Sequence, residues 1–316
     1  MALTSRISFH GPAATTDDPE DYLCSALGVI FPDDVTNQHG DADHSLLYAS
    51  PHLPRPLHLA LSDPDRESDR KLFSHYLWNS SLLLAEFVEA GTLRLPLDVG
   101  LGKLKPIDFD VTGLDVLELG AGTALPGIMS ALLGARSVAV TDYPSETVLN
   151  MLRANIAANV KPENSPAGTV APVAVDGHAW GDLDGSSSPF AEVGRGRFDR
   201  VFVCDCLWMP WQHANLQQSI AWSLKDSPSS RAWVVAGFHT GRAKMRGFFA
   251  EAALRAAGLE LESLWERDCD GVERAWVWDR GHEDVSERKR WLVVGVLRKL
   301  RAPSSGAEEK MTCELC

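Results

Sequence analysis

The sequence has no apolar run long enough for a membrane helix and no apolar stretch near its start that is typical of a secretory signal. A membrane-spanning helix needs about 20 apolar residues and a signal core about 7–15, whereas polar residues interrupt residues 1–14 and leave no apolar run of that length. We therefore expect no membrane partner. We also expect a cytoplasmic location.

Cysteine is scarce and scattered, which argues against a disulfide scaffold and favours a reducing compartment. The tail pair Cys313 and Cys316 has metal-ligand spacing, but no second pair of ligands accompanies it. We predict no metal site. The other cysteines are Cys24, Cys204, Cys206 and Cys269.

Positive charge is also in short supply. The 316 residues include 30 Lys and Arg against 43 Asp and Glu, giving a net charge of −13. This balance argues against direct binding of nucleic acid through its phosphates and favours a neutral or basic partner. Hydrophobic residues make up 45% and charged residues 23%, which is typical of a globular protein.

Alternating apolar strands and amphipathic helices predict an α/β fold. A helix over residues 72–90 precedes strands and helices in alternation, which indicates a parallel sheet with helices on both faces. We divide the chain into an N-terminal extension (1–70) with short strands at 27–31 and 57–61, a main domain (71–300) and a polar tail (301–316). Strands are predicted at 115–119, 137–141, 170–175, 198–204 and 232–238, with a final hairpin of 259–265 and 291–300. The predicted helices that follow are 125–133, 146–159, 215–224 and 243–257. Residues 185–196 and 279–290 are predicted as loops.

The strongest chemical signal is a glycine bend after the first core strand. Glu118, Gly120, Ala121 and Gly122 end that strand, and the next helix offers free N–H groups to an anion. A dinucleotide site of the form G-x-G-x-x-G would need glycine where the chain has Leu125. Glu118 would repel a pyrophosphate but suits a cofactor with a cationic end, such as S-adenosylmethionine. A purely structural turn is the alternative.

Residues after the next two strands suit the rest of that cofactor. Asp142 ends the second strand, where its carboxylate can accept hydrogen bonds from two ribose hydroxyls. Trp180 follows the third strand and offers a ring for the adenine, although it could equally cap the core. Trp78 precedes the main sheet and could cover the cofactor or dock its helix on the sheet.

The fourth strand ends in residues that suit an amine acceptor. Asp205 and Trp208 lie where ligands bind in doubly wound sheets, and indole faces bind cations and alkylated amines. We predict that both act in catalysis, that Asp205 also contacts the cofactor, and that Trp211 lines the approach. Cys204 and Cys206 are expected to pack on the face opposite Asp205. His239, after the fifth strand, is a substrate-side candidate or a structural histidine.

These motifs resemble the class I, seven-β-strand S-adenosylmethionine methyltransferases. More narrowly, the chain is similar to the lysine-methyltransferase-like family (methyltransferase family 16). Within it, the chain resembles the nicotinamide N-methyltransferase-like group that includes the enzyme methylating the N-terminus and adjacent lysine of elongation factor 1-alpha. The matching segments are 76–79, 116–122, 125–127, 141–144, 177–181 and 205–210.

The resemblance implies a Rossmann-like doubly wound sheet of seven strands, mostly parallel, with a C-terminal antiparallel hairpin. It implies S-adenosylmethionine as cofactor and adds Tyr143, beside Asp142, to the cofactor residues. It also implies methylation of protein amine groups, with an elongation factor 1-alpha-like partner. Where many lysine-modifying members carry Asp-x-x-Tyr, this chain has Trp208. A small-molecule N-methyltransferase acting on nicotinamide-like amines therefore stays open, as does a cofactor-binding protein without catalysis.

Overall fold

The computed structural model describes residues 2–10, 37–40, 45–61, 76–97, 106–184 and 189–300. The predicted strand at 27–31, the start of the predicted helix at 72, and the tail with Cys313 and Cys316 lie outside these ranges. In the described ranges the strands are β1 (Ile7–His10), β2 (Gln38–His39), β3 (Ser45–Tyr48), β4 (Leu57–Leu59), β5 (Leu77–Trp78), β6 (Asp115–Leu119), β7 (Ser137–Asp142), β8 (Val173–Gly177), β9 (Arg200–Cys204), β10 (Arg231–Gly237), β11 (Leu259–Asp268), β12 (Glu273–Ala275) and β13 (Trp291–Lys299).

Helices connect most of these strands. They are α1 (Asn79–Leu93), α2 (Leu125–Leu132), α3 (Glu146–Asn159), α4 (Pro189–Gly194), α5 (His213–Ser223), α6 (Arg242–Met245), α7 (Glu251–Ala256) and α8 (Val285–Lys289). No helix in the described ranges has the length and apolar character that crossing a membrane requires.

The main sheet has the order β12-β11-β13-β10-β9-β6-β7-β8. Strands β6 to β10 run parallel to one another, whereas β13 is antiparallel to both β10 and β11. This arrangement confirms the predicted α/β class and the C-terminal antiparallel strands. The central strands are mostly apolar, as expected for strands whose two faces are covered by helices.

The sheet has eight strands in the described chain, one more than predicted. The additional strand is β12, which pairs antiparallel with β11 at the sheet edge. It has only three residues, and burial along it is incomplete. A three-residue edge strand carries little periodic signal, so the sequence pattern did not indicate it.

Two predicted helices differ from those observed. The predicted 72–90 helix begins only at Asn79, because Leu77 and Trp78 form β5 and pair with β2. It continues through Gly91 and ends where Arg94 adopts a left-handed conformation. The predicted 243–257 helix is split into α6, a 3-10 turn over Arg246–Phe249 and α7. The interruption contains a glycine, which disfavours a continuous helix.

Two predicted loops contain short helices. In the 185–196 segment, α4 forms and buries Phe190 against the core. In the 279–290 segment, α8 forms because the Asp284 side chain accepts hydrogen bonds from the backbone N–H groups of Ser286 and Glu287. Both segments are polar in sequence. The first helix is held by the buried Phe190 ring, and the second is held by the Asp284 cap.

The N-terminal strands pack against the main domain. Strands β1, β3 and β4 form a small antiparallel sheet, and Arg6 donates to Glu89 of α1 at 2.6 Å. Asn155 and Asn159 of α3 exchange hydrogen bonds with the backbone of Ala60 and His58. These contacts attach the N-terminal strands to the helices flanking the carboxyl edge of the sheet.

Candidate active site

The carboxyl ends of β6, β7, β8 and β9 open into one cavity of about 220 Å³. This is the edge at which ligands bind in open α/β sheets. Nine residues predicted for the site line the cavity: Trp78, Gly120, Ala121, Gly122, Asp142, Tyr143, Trp180, Asp205 and Trp208. Glu118, the remaining predicted site residue, does not line it.

The glycine bend forms the floor of the cavity. Gly120 has φ +64°, in the left-handed region that glycine adopts without strain. A Cβ atom at Gly120 would lie 2.7 Å from Cys206 Sγ and 3.0 Å from Trp180 Cζ2. Glycine is therefore required at this position, because a thiol and an indole pack closely against its backbone at the cavity floor.

Asp142 connects the end of β7 to the glycine bend. Its Oδ2 accepts from the Gly122 N–H at 2.8 Å, and its Oδ1 accepts from the Tyr143 N–H at 2.7 Å. Burial raises the pKa of this carboxyl, while the two N–H groups oppose the rise. Each oxygen keeps a further lone pair for a ligand hydroxyl.

Glu118 lies behind the bend rather than facing the ligand space. Its side chain is fully buried, and Oε2 accepts from the Gly127 N–H of α2 at 2.8 Å. Within the described part of the chain, Oε1 has no hydrogen-bond partner. Burial raises the pKa of this carboxyl to about 8, with the Asp142 carboxylate adding to the rise. Glu118 thus connects the end of β6 to the first turn of α2.

Aromatic rings form much of the remaining wall. Trp180 stands over the bend, and Tyr143 is half exposed at the mouth. His178 is buried, and one ring nitrogen, Nε2, lies 3.0 Å from Ser219 Oγ. Burial lowers the pKa of His178 to about 4, so its ring is neutral at pH 7.

Asp205 enters the cavity because the chain bends sharply after β9. Its φ is +55°, a left-handed conformation that is rare for residues other than glycine. The bend ends strand alternation, so Cys204, Asp205 and Cys206 all line the cavity. The expected separation of the thiols from Asp205 is therefore wrong. Ser80 Oγ donates to Asp205 Oδ2 at 3.0 Å.

Trp208, Trp211 and His239 take different positions. Trp208 lines the cavity and meets Trp211 edge to face, with ring centroids 6.4 Å apart. Trp211 is 71% exposed and lies outside the lining. His239 also lies outside it, stacked against Trp78 with centroids 4.9 Å apart.

Several lining residues were absent from the predicted set. Ser81 opens α1, Thr123 extends the bend, and Gln212 and Asn215 come from the turn and helix after β9. For Ser81, the available signal was its place in a polar pair with Ser80 near the start of a mostly apolar helix. The others needed the tertiary arrangement, because polar residues next to turns are common.

The cavity fits S-adenosylmethionine better than a phosphorylated nucleotide. Among the described residues that line it, the charged side chains are Asp142 and Asp205, with neither Lys nor Arg. A pyrophosphate would lack a cationic partner here, whereas a sulfonium and an ammonium would meet carboxylates. The residues present therefore fit the cationic cofactor.

Comparisons with known proteins agree with this chemistry. The sequence model of a family described as lysine methyltransferase matches residues 66–253. The chain is 30% identical over 266 residues to the protein N-terminal and lysine N-methyltransferase EFM7 of Gibberella zeae, covering 80% of this chain and 84% of that protein. It is 33% identical over 169 residues to the protein of the same name from Eremothecium gossypii, covering 53% of this chain and 56% of that one.

Solved structures match the chain at lower sequence identity. The ribosomal protein L11 methylase from Lactobacillus delbrueckii subsp. bulgaricus is 16% identical, with a TM-score of 0.39. The match covers 70% of this chain and 80% of that protein.

Proposed function

Because the chain belongs to the lysine methyltransferase family, we propose that it methylates amine groups of a protein, using S-adenosylmethionine as the methyl donor. The acceptor amines would be a lysine side chain, an N-terminal α-amine or both. The observation that carries the proposal is Asp205, a buried carboxylate beside Trp78 and Trp208 in the cavity wall. Such a surface suits a cationic or alkylated amine.

We assign the cofactor to the glycine bend and its neighbours. Gly120 to Gly122 would lie along the methionine part, Asp142 would accept from the ribose hydroxyls, and Trp180 would cover the adenine. Tyr143 and Trp78 would border the same cofactor. Glu118 would act indirectly by keeping β6 and α2 in register through its contact with Gly127.

The bound cofactor supplies a methyl group on a sulfonium, which transfers directly to a nucleophile. The chain's own residues align the acceptor and exclude water. Asp205 would accept a hydrogen bond from the amine and orient its lone pair, while Trp78 and Trp208 would limit its positions. Asp205 and the indole faces would hold the incoming cationic amine, whereas removal of the amine from water lowers its pKa toward the neutral form that attacks.

The partner we propose is an elongation factor 1-alpha-like protein, which would place the enzyme in the cytoplasm. The names of the relatives in Gibberella zeae and Eremothecium gossypii, which act on protein N-termini and lysines, support a protein acceptor. The choice of elongation factor 1-alpha rests on the motif resemblance described for the sequence. The net charge of −13 also suits a basic partner.

A labelling assay tests this proposal. Wild type and Asp205→Asn are incubated with methyl-labelled S-adenosylmethionine and cell extract, and separately with purified elongation factor 1-alpha. We expect label in one protein band, at an N-terminal or lysine amine by mass spectrometry. The Asp205→Asn variant keeps the size of the side chain and should label about 10- to 100-fold more slowly, as expected for losing a charge-assisted contact.

The other outcomes separate the alternatives. Label confined to small molecules would replace this proposal with a small-molecule N-methyltransferase acting on nicotinamide-like amines. Calorimetry provides the cofactor control. If neither S-adenosylmethionine nor its demethylated product binds at millimolar concentration, the protein-amine and the small-molecule hypotheses are both wrong.

A further inference from the structure

His239 lies next to the proposed acceptor site, and its role is so far unassigned. It follows β10 in the 3-10 turn Phe238–Thr240, and its Nδ1 lies 3.5 Å from Asp205 Oδ1. This Nδ1 is buried and has no hydrogen-bond partner within the described ranges. A buried ring nitrogen is thus directed at a carboxylate that lines the cavity.

Two side chains face the carboxylate of Asp205. Ser80 Oγ donates to Oδ2 at 3.0 Å, and His239 Nδ1 faces Oδ1. Burial raises the pKa of Asp205, and His239 and Ser80 oppose that rise. Both neighbours therefore favour the charged carboxylate, which is the form that can accept from an amine.

The backbone leaves room for this pair at one glycine. A Cβ atom at Gly237 would lie 3.2 Å from His239 Nδ1 and 3.6 Å from Asp205 Oδ2. The first distance is tighter than ordinary carbon contacts, so a side chain there would press on the imidazole. The glycine at the end of β10 thus permits the close approach of the two groups.

One face of the imidazole packs against the cavity wall. His239 stacks on Trp78 with centroids 4.9 Å apart and an interplanar angle of 25°. Trp78 lines the cavity, and the side chain of His239 is 22% exposed. One imidazole therefore contacts an aromatic wall and faces a carboxylate of the same site.

We propose that His239 is a positioning residue whose Nδ1–H donates to Asp205 Oδ1 when an acceptor amine is bound, and so holds the carboxylate toward that amine. This inference rests on the proposed function, because Asp205 has an acceptor to orient only if the chain methylates amines. His239 acts through Asp205 and does not touch the reacting atoms. Its stacking on Trp78 is a separate contact, which the experiment must distinguish from the Nδ1–H contact.

Two substitutions separate the two contacts. His239→Phe keeps an aromatic ring against Trp78 but removes the N–H. His239→Asn loses the ring but places an amide N–H near the position of Nδ1. Initial rates on the labelled acceptor are measured for both, with calorimetry of S-adenosylmethionine and thermal unfolding alongside. His282→Phe, an exposed histidine outside the cavity lining, is the matched control and should equal wild type.

We expect kcat to fall about 10- to 100-fold in His239→Phe, the range for losing a hydrogen bond to a charged group, while cofactor affinity stays unchanged. His239→Asn should recover at least half of that loss on a logarithmic scale. An Asn variant no faster than the Phe variant overturns the inference, because Nδ1–H is then not the group that matters. A wild type that labels no amine overturns the proposed function and this inference together.

Discussion

At the scale of single residues, two buried carboxyls occupy different positions relative to the cavity. Asp205 lines the cavity, and nearby His239 together with two donors, Ser80 and the Gly237 backbone, opposes the effect of burial on its charge. Glu118 lies behind the bend, with one oxygen bonded to Gly127 and the other without a partner in the described chain. A buried carboxyl with one unsatisfied oxygen is costly to ionise. Glu118 should therefore affect stability in a pH-dependent way.

Glu118→Gln should make the protein more stable above pH 8. Burial raises the pKa of Glu118 from 4.5 to about 8, so the folded state binds more protons than the unfolded state between these values. The free energy of unfolding then falls as pH rises, by at most about 1.4 kcal/mol per pH unit from this group. Glutamine carries no charge and should flatten that slope.

Urea unfolding at pH 5, 7 and 9 without cofactor measures the effect. Glu146→Gln is the control, because the Glu146 side chain is 77% exposed and should leave the slope as in wild type. If the free energy of unfolding changes with pH in the same way for Glu118→Gln and wild type between pH 5 and 9, the buried carboxyl does not titrate in this range.

At the scale of elements, the turn from β6 into α2 determines the floor of the cavity. Gly120→Ala should reduce both stability and cofactor affinity. Its φ of +64° costs a side chain about 1–2 kcal/mol, and the new Cβ would lie 2.7 Å from Cys206 Sγ. The thiol would have to move into the ligand space or the bend would have to open.

Gly113→Ala is the matched control for this prediction. Gly113 has φ +69°, so it carries the same backbone strain, but a Cβ there would meet nothing within 4 Å. Both variants should lose the stability that backbone strain costs, Gly120→Ala should lose more because of its steric clash, and only Gly120→Ala should bind S-adenosylmethionine more weakly by calorimetry. Combining Gly120→Ala with Cys206→Ala should restore part of the affinity. Equal affinity in the two single variants would show that the floor tolerates a side chain.

At the same scale, some features of the fold and of the cavity could be predicted from the sequence and others could not. The strand and helix alternation was predictable because buried parallel strands are apolar throughout, and the strand ends then placed Gly120, Asp142 and Asp205 at one edge. The left-handed Asp205 and the 3-10 turn over Arg246–Phe249 were not predictable, because tertiary contacts determine both. The position of His239 beside Asp205 depends on pairing between β9 and β10, which periodicity does not reveal.

At the scale of the whole molecule, the N-terminal strands are tied to the helix that begins at the cavity. Arg6 donates to Glu89 of α1 at 2.6 Å and to the Tyr48 hydroxyl at 3.0 Å. Ser50 Oγ also donates to Glu89. Since α1 carries Ser80 at its other end, this buried cluster links the first strands of the chain to the Asp205 side of the site.

Arg6→Met should destabilise the protein strongly, because it leaves the Glu89 carboxylate buried without its cation. Glu89 is 1% exposed, and removing one partner of a buried ion pair costs about 3–5 kcal/mol. Arg255→Met is the control, since that side chain is 56% exposed, its partner Glu251 is 81% exposed, and surface pairs contribute about 0–1 kcal/mol. Urea unfolding at pH 7 compares the two. The double variant Arg6→Met with Glu89→Gln should recover part of the loss, because no buried charge is then unpaired. A cost for Arg6→Met no larger than that for Arg255→Met would contradict this prediction and would mean that the buried Glu89 does not need Arg6 as its partner.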